Sequence, residues 1–366
     1  MRRFLWAALL AVSVCSCGKP PARGIRVVEL SGSAYERGKT HGRTLQTEIH
    51  AVLDRFRAHA ERMHSVRIDS IRSGYLAKVK YTESIRRWNP GLLDEVRGIA
   101  DGAGVDFEAV LLFQMGEEFL ARLEETRPKH CTSIGTGRTE SSPCIVAQNM
   151  DAPYFLHGFP TLLRIRYDSL NLETFVLTAP GLIALNGMNS RGIGVTANAL
   201  PGLNPALEGL PVAFVLRTVL EQPTFEQAVQ FLRSVEHAKA QNYLMGGPEE
   251  AVSLECIGRE AHPFRSPDNS NLTYHTNHFL ARAHPSNGDY CSRLETMKAY
   301  LSDHAYRVGF EEIREILSST EWNAGRPISH AFCYGSTIMV LSSPPELYLA
   351  PGQPDQYDYV RFAFQE

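Results

Sequence analysis

From Ile25 onward the chain reads in two textures, a helical period first and short strands after it. Residues 25–30 (Ile-Arg-Val-Val-Glu-Leu) predict a strand ending at Ser31-Gly32. A helix starts near Ser33, and Gly38 and Gly42, four apart, lie on one face of it, where another backbone can approach closely. Packing of one helix on another accounts for such a pair. The helical pattern runs on from Thr44 to about Arg87. Arg55, Arg57, Arg62, Arg67 and Arg72 are interleaved there with Asp54, Glu61 and Asp69, which reads as a solvated face rather than a basic patch. Pro90-Gly91 breaks the run. Residues 92–103 predict the next helix, and Asp106 is placed to cap a further one over 107–120.

Beyond residue 131 the apolar runs shorten and are separated by Gly, Pro, Asn or Ser. Strands are predicted at 133–135, 145–149, 162–167, 173–177, 183–187 and 193–198. Helices follow at 212–221 and 224–235, the second with Ala228, Val229, Phe231 and Leu232 as its apolar positions. Strands return at 242–245, 252–256 and 272–275, then helices at 290–301 and 310–317, then strands at 337–341, 346–350 and 359–364. There is no internal repeat and no low-complexity block. This order suits an α+β fold in which antiparallel sheets are layered with helices.

Composition narrows the class. The chain has 366 residues, 43% hydrophobic and 21% charged, enough to bury a large core without covalent staples. The formal net charge is -3, and the two arginines within residues 1–17 leave the rest at -5, which argues against nucleic acid as a partner. Met1-Arg2-Arg3 followed by the apolar stretch 4–14 reads as a targeting segment. Val14-Cys15-Ser16-Cys17-Gly18 resembles a bacterial lipobox with Cys17 as the lipidated residue; an ordinary secretory signal is the alternative. The chain is therefore expected to be exported and lipid-anchored to a bacterial envelope membrane, or else secreted or periplasmic. Cys144, Cys256, Cys291 and Cys333 show no zinc spacing, and one bridge, two or none are all compatible with them.

The candidate chemistry sits at Lys129-His130-Cys131-Thr132-Ser133-Ile134 and the returning Ala147-Gln148-Asn149-Met150-Asp151, which together read as a β-hairpin with a reactive group at its head. Cutting the His130–Cys131 peptide bond would give Cys131 both a thiol and a free α-amine. With reference pKa values near 8.5 and about 7.7 to 8.0, the amine can take the thiol proton near neutral pH, so that one residue supplies nucleophile and base. The plainer alternative is that Cys131 is a small buried hydrophobe. In the His275-Thr276-Asn277-His278 run, the two histidines would point to opposite faces of a strand, which disfavours a shared metal.

Several stretches carry a family resemblance in their joint order and spacing. They are Tyr35-Glu36-x-Gly38-x-x-x-Gly42, residues 93–103, Cys131-Thr132-Ser133, Gln148-Asn149-Met150-Asp151, residues 187–198 and Thr276-Asn277-His278-Phe279. From about residue 27 to the end the chain resembles the acyl-coenzyme A:6-aminopenicillanate acyltransferase family, N-terminal nucleophile hydrolases related to choloylglycine hydrolases. The resemblance implies a four-layer αββα sandwich, with residues 18–130 as a mostly helical small chain released by self-cleavage and 131–366 as the β-rich catalytic part of the same domain. It also implies acyl transfer or hydrolysis of a small amide through a thioester, with bile-salt or penicillin V acylase-like hydrolysis, or a catalytically silent binding protein, as alternatives. Carried over, Cys131 is the nucleophile, Asp151 holds the new amine, Asn277 donates to the oxyanion and Asn198 is a second polar position at the site. No cofactor and no metal is implied. Two positions depart from the pattern: His130 stands where glycine is common, and the arginine expected near Tyr334-Gly335-Ser336-Thr337 is missing.

Overall fold

The computed structural model describes residues 24–65, 67–123, 131–283, 291–321 and 326–364. The targeting segment with Cys17, and His130, lie outside the described residues.

Strand β1 (Arg26–Leu30) leads into α1 (Ala34–Thr44), whose start is a capping box: Ser33 Oγ accepts the Glu36 N–H and Glu36 Oε2 accepts the Ser33 N–H. The run expected to be one helix to Arg87 is three, α2 (Gln46–His64), α3 (Ile68–Lys78) and α4 (Tyr81–Trp88). Ser65 turns left-handed at φ 54° and Val79 goes extended. These breaks let Ile68, Val79, Tyr81 and Ile85 all reach the core, which a straight rod does not allow. Helix α5 (Gly91–Ala103) stops at Gly104, with φ 68°. Asp106 caps α6 (Phe107–Gln114) through the Ala109 N–H at 3.0 Å. The expected single helix over 107–120 bends at Met115 into α7 (Gly116–Leu123), where Gly116 lies against the Phe56 ring.

The β-rich part begins with β2 (Thr132–Thr136), β3 (Ile145–Asp151), β4 (Thr161–Tyr167), β5 (Leu172–Thr178), β6 (Asn186–Asn189) and β7 (Gly194–Ala199). Then come α8 (Val212–Leu220), α9 (Phe225–Ser234), β8 (His237–Gly246), β9 (Ala251–Gly258), β10 (Glu260–Phe264) and β11 (Leu272–His275). The last elements are α10 (Ser292–Asp303), α11 (Phe310–Ser318), β12 (Cys333–Val340), β13 (Glu346–Ala350) and β14 (Val360–Ala363). Strand β8 starts earlier than its apolar residues suggest, because buried Lys239 and Gln241 belong to it, and β12 starts at Cys333. Strand β10 has no sequence counterpart; it is an edge strand, where Pro263 is tolerated.

Two sheets form, in the orders β1-β4-β5-β6-β7-β8-β9-β10 and β11-β2-β3-β12-β13-β14. Their pairings are antiparallel except for β1 against β4. The sheets face each other: β2 and β3 lie against β7 and β8. Helix α8 packs on β6, β7 and β8 from the other side, and α11 packs on β3 and β12. The outer face of the second sheet buries Ile134, Ile145, Ala147 and Ile338 against Leu294, Met297, Ile313 and Ile316 of α10 and α11. The result is helix, sheet, sheet, helix, the four layers expected.

Helices α1 and α5 meet backbone to backbone. A Cβ on Gly38 would stand 1.9 Å from Glu95 O, one on Gly42 2.3 Å from Ile99 O, and one on Gly98 2.2 Å from Tyr35 O. The glycine pair read from the sequence is thus a helix contact with a matching pair opposite. Beneath it Arg217 of α8 makes a bidentate pair with Glu95, Nη1 to Oε1 at 2.7 Å and Nη2 to Oε2 at 3.0 Å, and Arg37 adds a bond to Oε2 at 3.3 Å. Burial pushes the Glu95 carboxyl up, but Arg217 and Arg37 together hold it below its ordinary range. This knot ties α1, α5 and α8 into one layer.

Two stability effects follow. Arg217→Met leaves Glu95 buried with only Arg37 beside it, and should cost about 3–5 kcal/mol in denaturant unfolding. Burial also drives the His41 imidazole down to about 4, with its Nε2 accepting the Gly181 N–H. Between the ordinary value and about 4 the unfolded chain binds the proton that the folded chain refuses, so stability falls as pH falls through that window. In His41→Asn the slope of unfolding free energy against pH should flatten there by up to about 1.4 kcal/mol per pH unit.

Candidate active site

Cys131 stands immediately before β2, 2% exposed. Its Sγ lies 3.6 Å from the carbonyl oxygen of Asp151, the last residue of β3, and 3.8 Å from Met150 Sδ. The ladder explains the meeting. Thr132 pairs with Asn149, so the head of β2 and the end of β3 come out side by side. Ser133 and Met150 turn toward the other sheet and Ile134 toward α10, and Cys131, two residues before Ser133, shares its face.

Burial pushes the Cys131 thiol up to about 12, and the nearby Asp151 carboxylate adds to the rise. In the continuous chain it is a protonated thiol and a poor nucleophile. Burial likewise raises the Asp151 carboxyl, opposed by His330, Arg293 and His157. His330 Nε2 stands 2.9 Å from Asp151 Oδ2. Both Asp151 oxygens are buried without an aligned hydrogen-bond donor among the described residues, the His330 contact at Oδ2 being close but out of line.

The other two sequence candidates are placed differently. Asn277, fully buried just after β11, gives one amide N–H to Ala199 O at 2.9 Å, and its Oδ1 accepts from Arg293 Nη2 at 3.3 Å. Nδ2 carries two protons, so a second donor remains. Asn198 lies on β7 between Ala197 and Ala199, but on the opposite face of the strand from them. Its Oδ1 accepts from Ser133 Oγ at 2.9 Å and from Asn242 Nδ2 at 3.3 Å, while its own Nδ2 has no acceptor among the described residues. It belongs to the seam between the sheets, at Ser133, two residues along β2 from Cys131.

A cavity of about 80 Å³ opens beside Cys131 and Asp151. Its walls are mainly apolar, with Phe113, Leu120, Phe155, Leu182, Val212 and Leu216 among them, while Glu117 and Gln241 supply a polar corner. There Gln241 Nε2 and Lys239 Nζ both donate to Glu117 Oε1, at 2.6 and 3.1 Å. Of the aromatics after the hairpin, Phe155 lines the cavity and Tyr154 is exposed, resting on Phe332 with ring centres 4.6 Å apart.

The arginine missing near residues 334–337 has a counterpart elsewhere. Arg293, on the first turn of α10 and 3% exposed, donates from Nη1 to Cys131 O at 2.6 Å and to Thr132 Oγ1 at 2.9 Å, and from Nη2 to Asn277 Oδ1. One guanidinium therefore ties the candidate nucleophile to the candidate oxyanion donor. Its fixed fork suits that task better than an ammonium would. Nothing in the local sequence distinguishes Arg293 from a surface arginine at a helix start; only its burial does. His330 was equally invisible, because its approach to Asp151 depends on the antiparallel pairing of β12 with β3.

The sequence profile described as acyl-coenzyme A:6-aminopenicillanic acid acyl-transferase matches residues 139–345. That span holds Asp151, Asn198, Asn277, Arg293 and His330, and Cys131 lies just ahead of it. The 40 kDa form of acyl-coenzyme A:6-aminopenicillanic-acid-acyltransferase from Emericella nidulans is 29% identical over 208 residues, 55% of this chain and 55% of that protein. Protein dcd1A of Dictyostelium discoideum is 23% identical over 226 residues, 55% of this chain and 51% of that one. The chain spans about half the length of the curated relatives it matches. Among solved structures, a Caenorhabditis elegans N-acylethanolamine-hydrolyzing acid amidase ortholog has a TM-score of 0.46 at 19% identity, covering 64% of this chain and 100% of that one. With more than half of its length matched by the profile, this chain belongs to the acyl-coenzyme A:6-aminopenicillanic acid acyl-transferase family.

Proposed function

We propose that this chain is an exported cysteine amidohydrolase or acyltransferase that cuts itself before Cys131 and then acts on a small amide through a thioester. The observation that carries the reading is the buried Asp151 carboxylate beside Cys131, neither of whose oxygens has an aligned donor among the described residues. A buried carboxylate oxygen without a donor is costly. An α-ammonium on Cys131 would fill it, and cleavage of the His130–Cys131 bond is what would create that group.

In the cut protein the α-amine accepts the thiol proton and Sγ attacks the substrate carbonyl carbon. The carbonyl oxygen takes the negative charge and is met by the free N–H of Asn277, which Arg293 holds in place. As the carbon–nitrogen bond breaks, the α-ammonium returns its proton to the leaving amine. Water, or an acceptor amine, then attacks the thioester and releases Sγ. The freed α-amine takes the proton of that attacking water or amine and passes it to Sγ, so one group serves every transfer in this scheme. The apolar cavity suits a small apolar acyl group, and the Glu117 and Gln241 corner suits a polar leaving amine. Burial keeps the uncut thiol protonated, which supports the view that the uncut chain is silent until the amine appears. A binding protein without catalysis leaned on the absence of a supporting arginine, and Arg293 removes that support. The exported location rests on the residues 1–17 targeting segment and its Cys17 lipobox.

Intact-mass analysis of the purified full chain tests the central step. Two fragments should appear, the second beginning at Cys131, and Cys131→Ala should yield one uncut chain; a wild-type chain that stays whole and takes no acyl label from amide substrates would refute the reading. In the cut enzyme, Asn277→Ala should lower kcat by about 10²- to 10³-fold with a much smaller change in KM, read by steady-state hydrolysis of N-acyl amides.

A further inference from the structure

Before the cut there is no α-amine, yet the Asp151 carboxylate is already buried at the end of β3. Something must hold it in place. The group at hand is His330, 7% exposed, which lies in the segment just before β12. The backbone delivers it there: Cys333 pairs with Asp151 across the ladder, the Ala152 N–H donates to Phe332 O at 3.1 Å, and the Cys333 N–H donates to His330 O at 2.9 Å.

The ring's two nitrogens have different partners. Nδ1 accepts the backbone N–H of Phe332 at 3.2 Å, so it carries no proton of its own. The proton of the neutral imidazole is then on Nε2, the nitrogen 2.9 Å from Asp151 Oδ2, a contact at pairing distance that a small turn of the ring aligns as a hydrogen bond. The other charged or titratable groups around the carboxylate are Arg293, His157, Cys131 and Cys333. Arg293 is committed to Cys131 O, Thr132 and Asn277, and His157 Nε2 stands 3.0 Å from Ala152 O.

We propose that His330 is a positioning residue for Asp151, whose Nε2–H holds one carboxylate oxygen and keeps the other turned toward the nitrogen of Cys131. The proposal rests on the reading above, in which that nitrogen becomes the catalytic amine. During self-cleavage the Sγ–carbon bond to residue 130 forms and the carbon–nitrogen bond to Cys131 breaks. Asp151 takes the thiol proton and passes it to the departing nitrogen, and water then hydrolyses the thioester. His330 exchanges no proton in these steps; its task is to keep the carboxylate ionised and aimed.

Two substitutions separate the ring's two contacts. In His330→Asn the amide oxygen takes over the position of Nδ1 and the reach to Asp151 is lost; in His330→Gln the amide nitrogen takes over the position of Nε2 and donates to Asp151. Self-cleavage and kcat/KM are followed against pH in the full chain. Loss of the donor favours the protonated acid, so in His330→Asn the acidic limb should move up by about one pH unit, with roughly ten-fold slower cleavage on that limb and little change on the alkaline side. His330→Gln should restore the wild-type limb. A folded His330→Asn chain with its limb unmoved, or His330→Gln behaving like His330→Asn, overturns the proposal.

A measurement that needs no folded Asn variant uses wild-type protein carrying 15N-histidine. The His330 signals, assigned by their loss in His330→Gln, should show Nδ1 as an acceptor and the proton on Nε2 at the pH of the cleavage assay, and a proton on Nδ1 overturns the proposal. If the wild-type chain proves never to be cut, the self-cleavage reading fails on its mass alone. The 15N experiment on that same uncut chain still decides whether His330 donates to Asp151.

Discussion

The structure depends on a polar seam buried between its two sheets. Ser133 Oγ donates to Asn198 Oδ1 at 2.9 Å and Gln148 Nε2 to Ala197 O at 2.7 Å. Asn186 Nδ2 reaches Gln148 Oε1 at 2.9 Å and Thr337 Oγ1 at 3.2 Å, and Ser253 Oγ donates to Asn242 Oδ1 at 2.6 Å. Apolar faces can slide over one another at small cost, but these bonds hold in one alignment only, and a slipped sheet would leave buried donors and acceptors unpaired. Glycines let the sheets close on the seam: a Cβ at Gly246 would meet Val146 and Leu341 at 2.6 Å, and one at Gly135 would meet Leu244 at 2.8 Å. With the alignment set, the head of β2 and the end of β3 meet at the cavity on the end of the sandwich.

That meeting creates an electrostatic problem and the parts of its answer. Burial and a neighbouring carboxylate both disfavour the Cys131 thiolate, so in the uncut chain the sulfur needs a base to take its proton. The α-amine that the proposed cut would free on the same residue would bring positive charge to sulfur and carboxylate at once. Arg293 contributes from the opposite side of the second sheet, through α10. It holds the Cys131 carbonyl, Thr132 and Asn277 with one planar group, so the helical layer over that sheet bears directly on the chemistry.

The two sites of dense polarity differ in kind. The Glu95, Arg217 and Arg37 knot is closed, its carboxylate filled by two guanidinium groups, and it serves to bind helices together. Asp151 has one oxygen in close contact with His330, and neither oxygen meets an aligned donor among the described residues. A closed network stabilises a fold, whereas an open one marks where another group belongs.

Legibility followed the range of the interactions. Capping at Ser33 and Asp106, the stop after α5, the glycine pair at 38 and 42 and most strands are local or periodic, and they were readable. Breaks at Ser65 and Val79 were not, because a charged, helix-favouring run hides turns that only the core demands. Strand β10 and the first half of β8 were missed because their polar residues are paid for by ladder bonds and ion pairs that no periodicity reveals. Cys131 stood out at the head of a short-range hairpin, and Asp151 and Asn277 entered through the family resemblance that the motifs around them carry. Arg293 and His330 did not, since each reaches the site only after distant elements pair and pack. The sequence by itself therefore determined that antiparallel strands are layered with helices, because period and spacing encode that, while the four-layer order and the roles at the site came from the family resemblance. Tertiary structure alone decided which guanidinium and which imidazole attend that site, because proximity across a sheet is a property of register and burial, not of neighbouring letters.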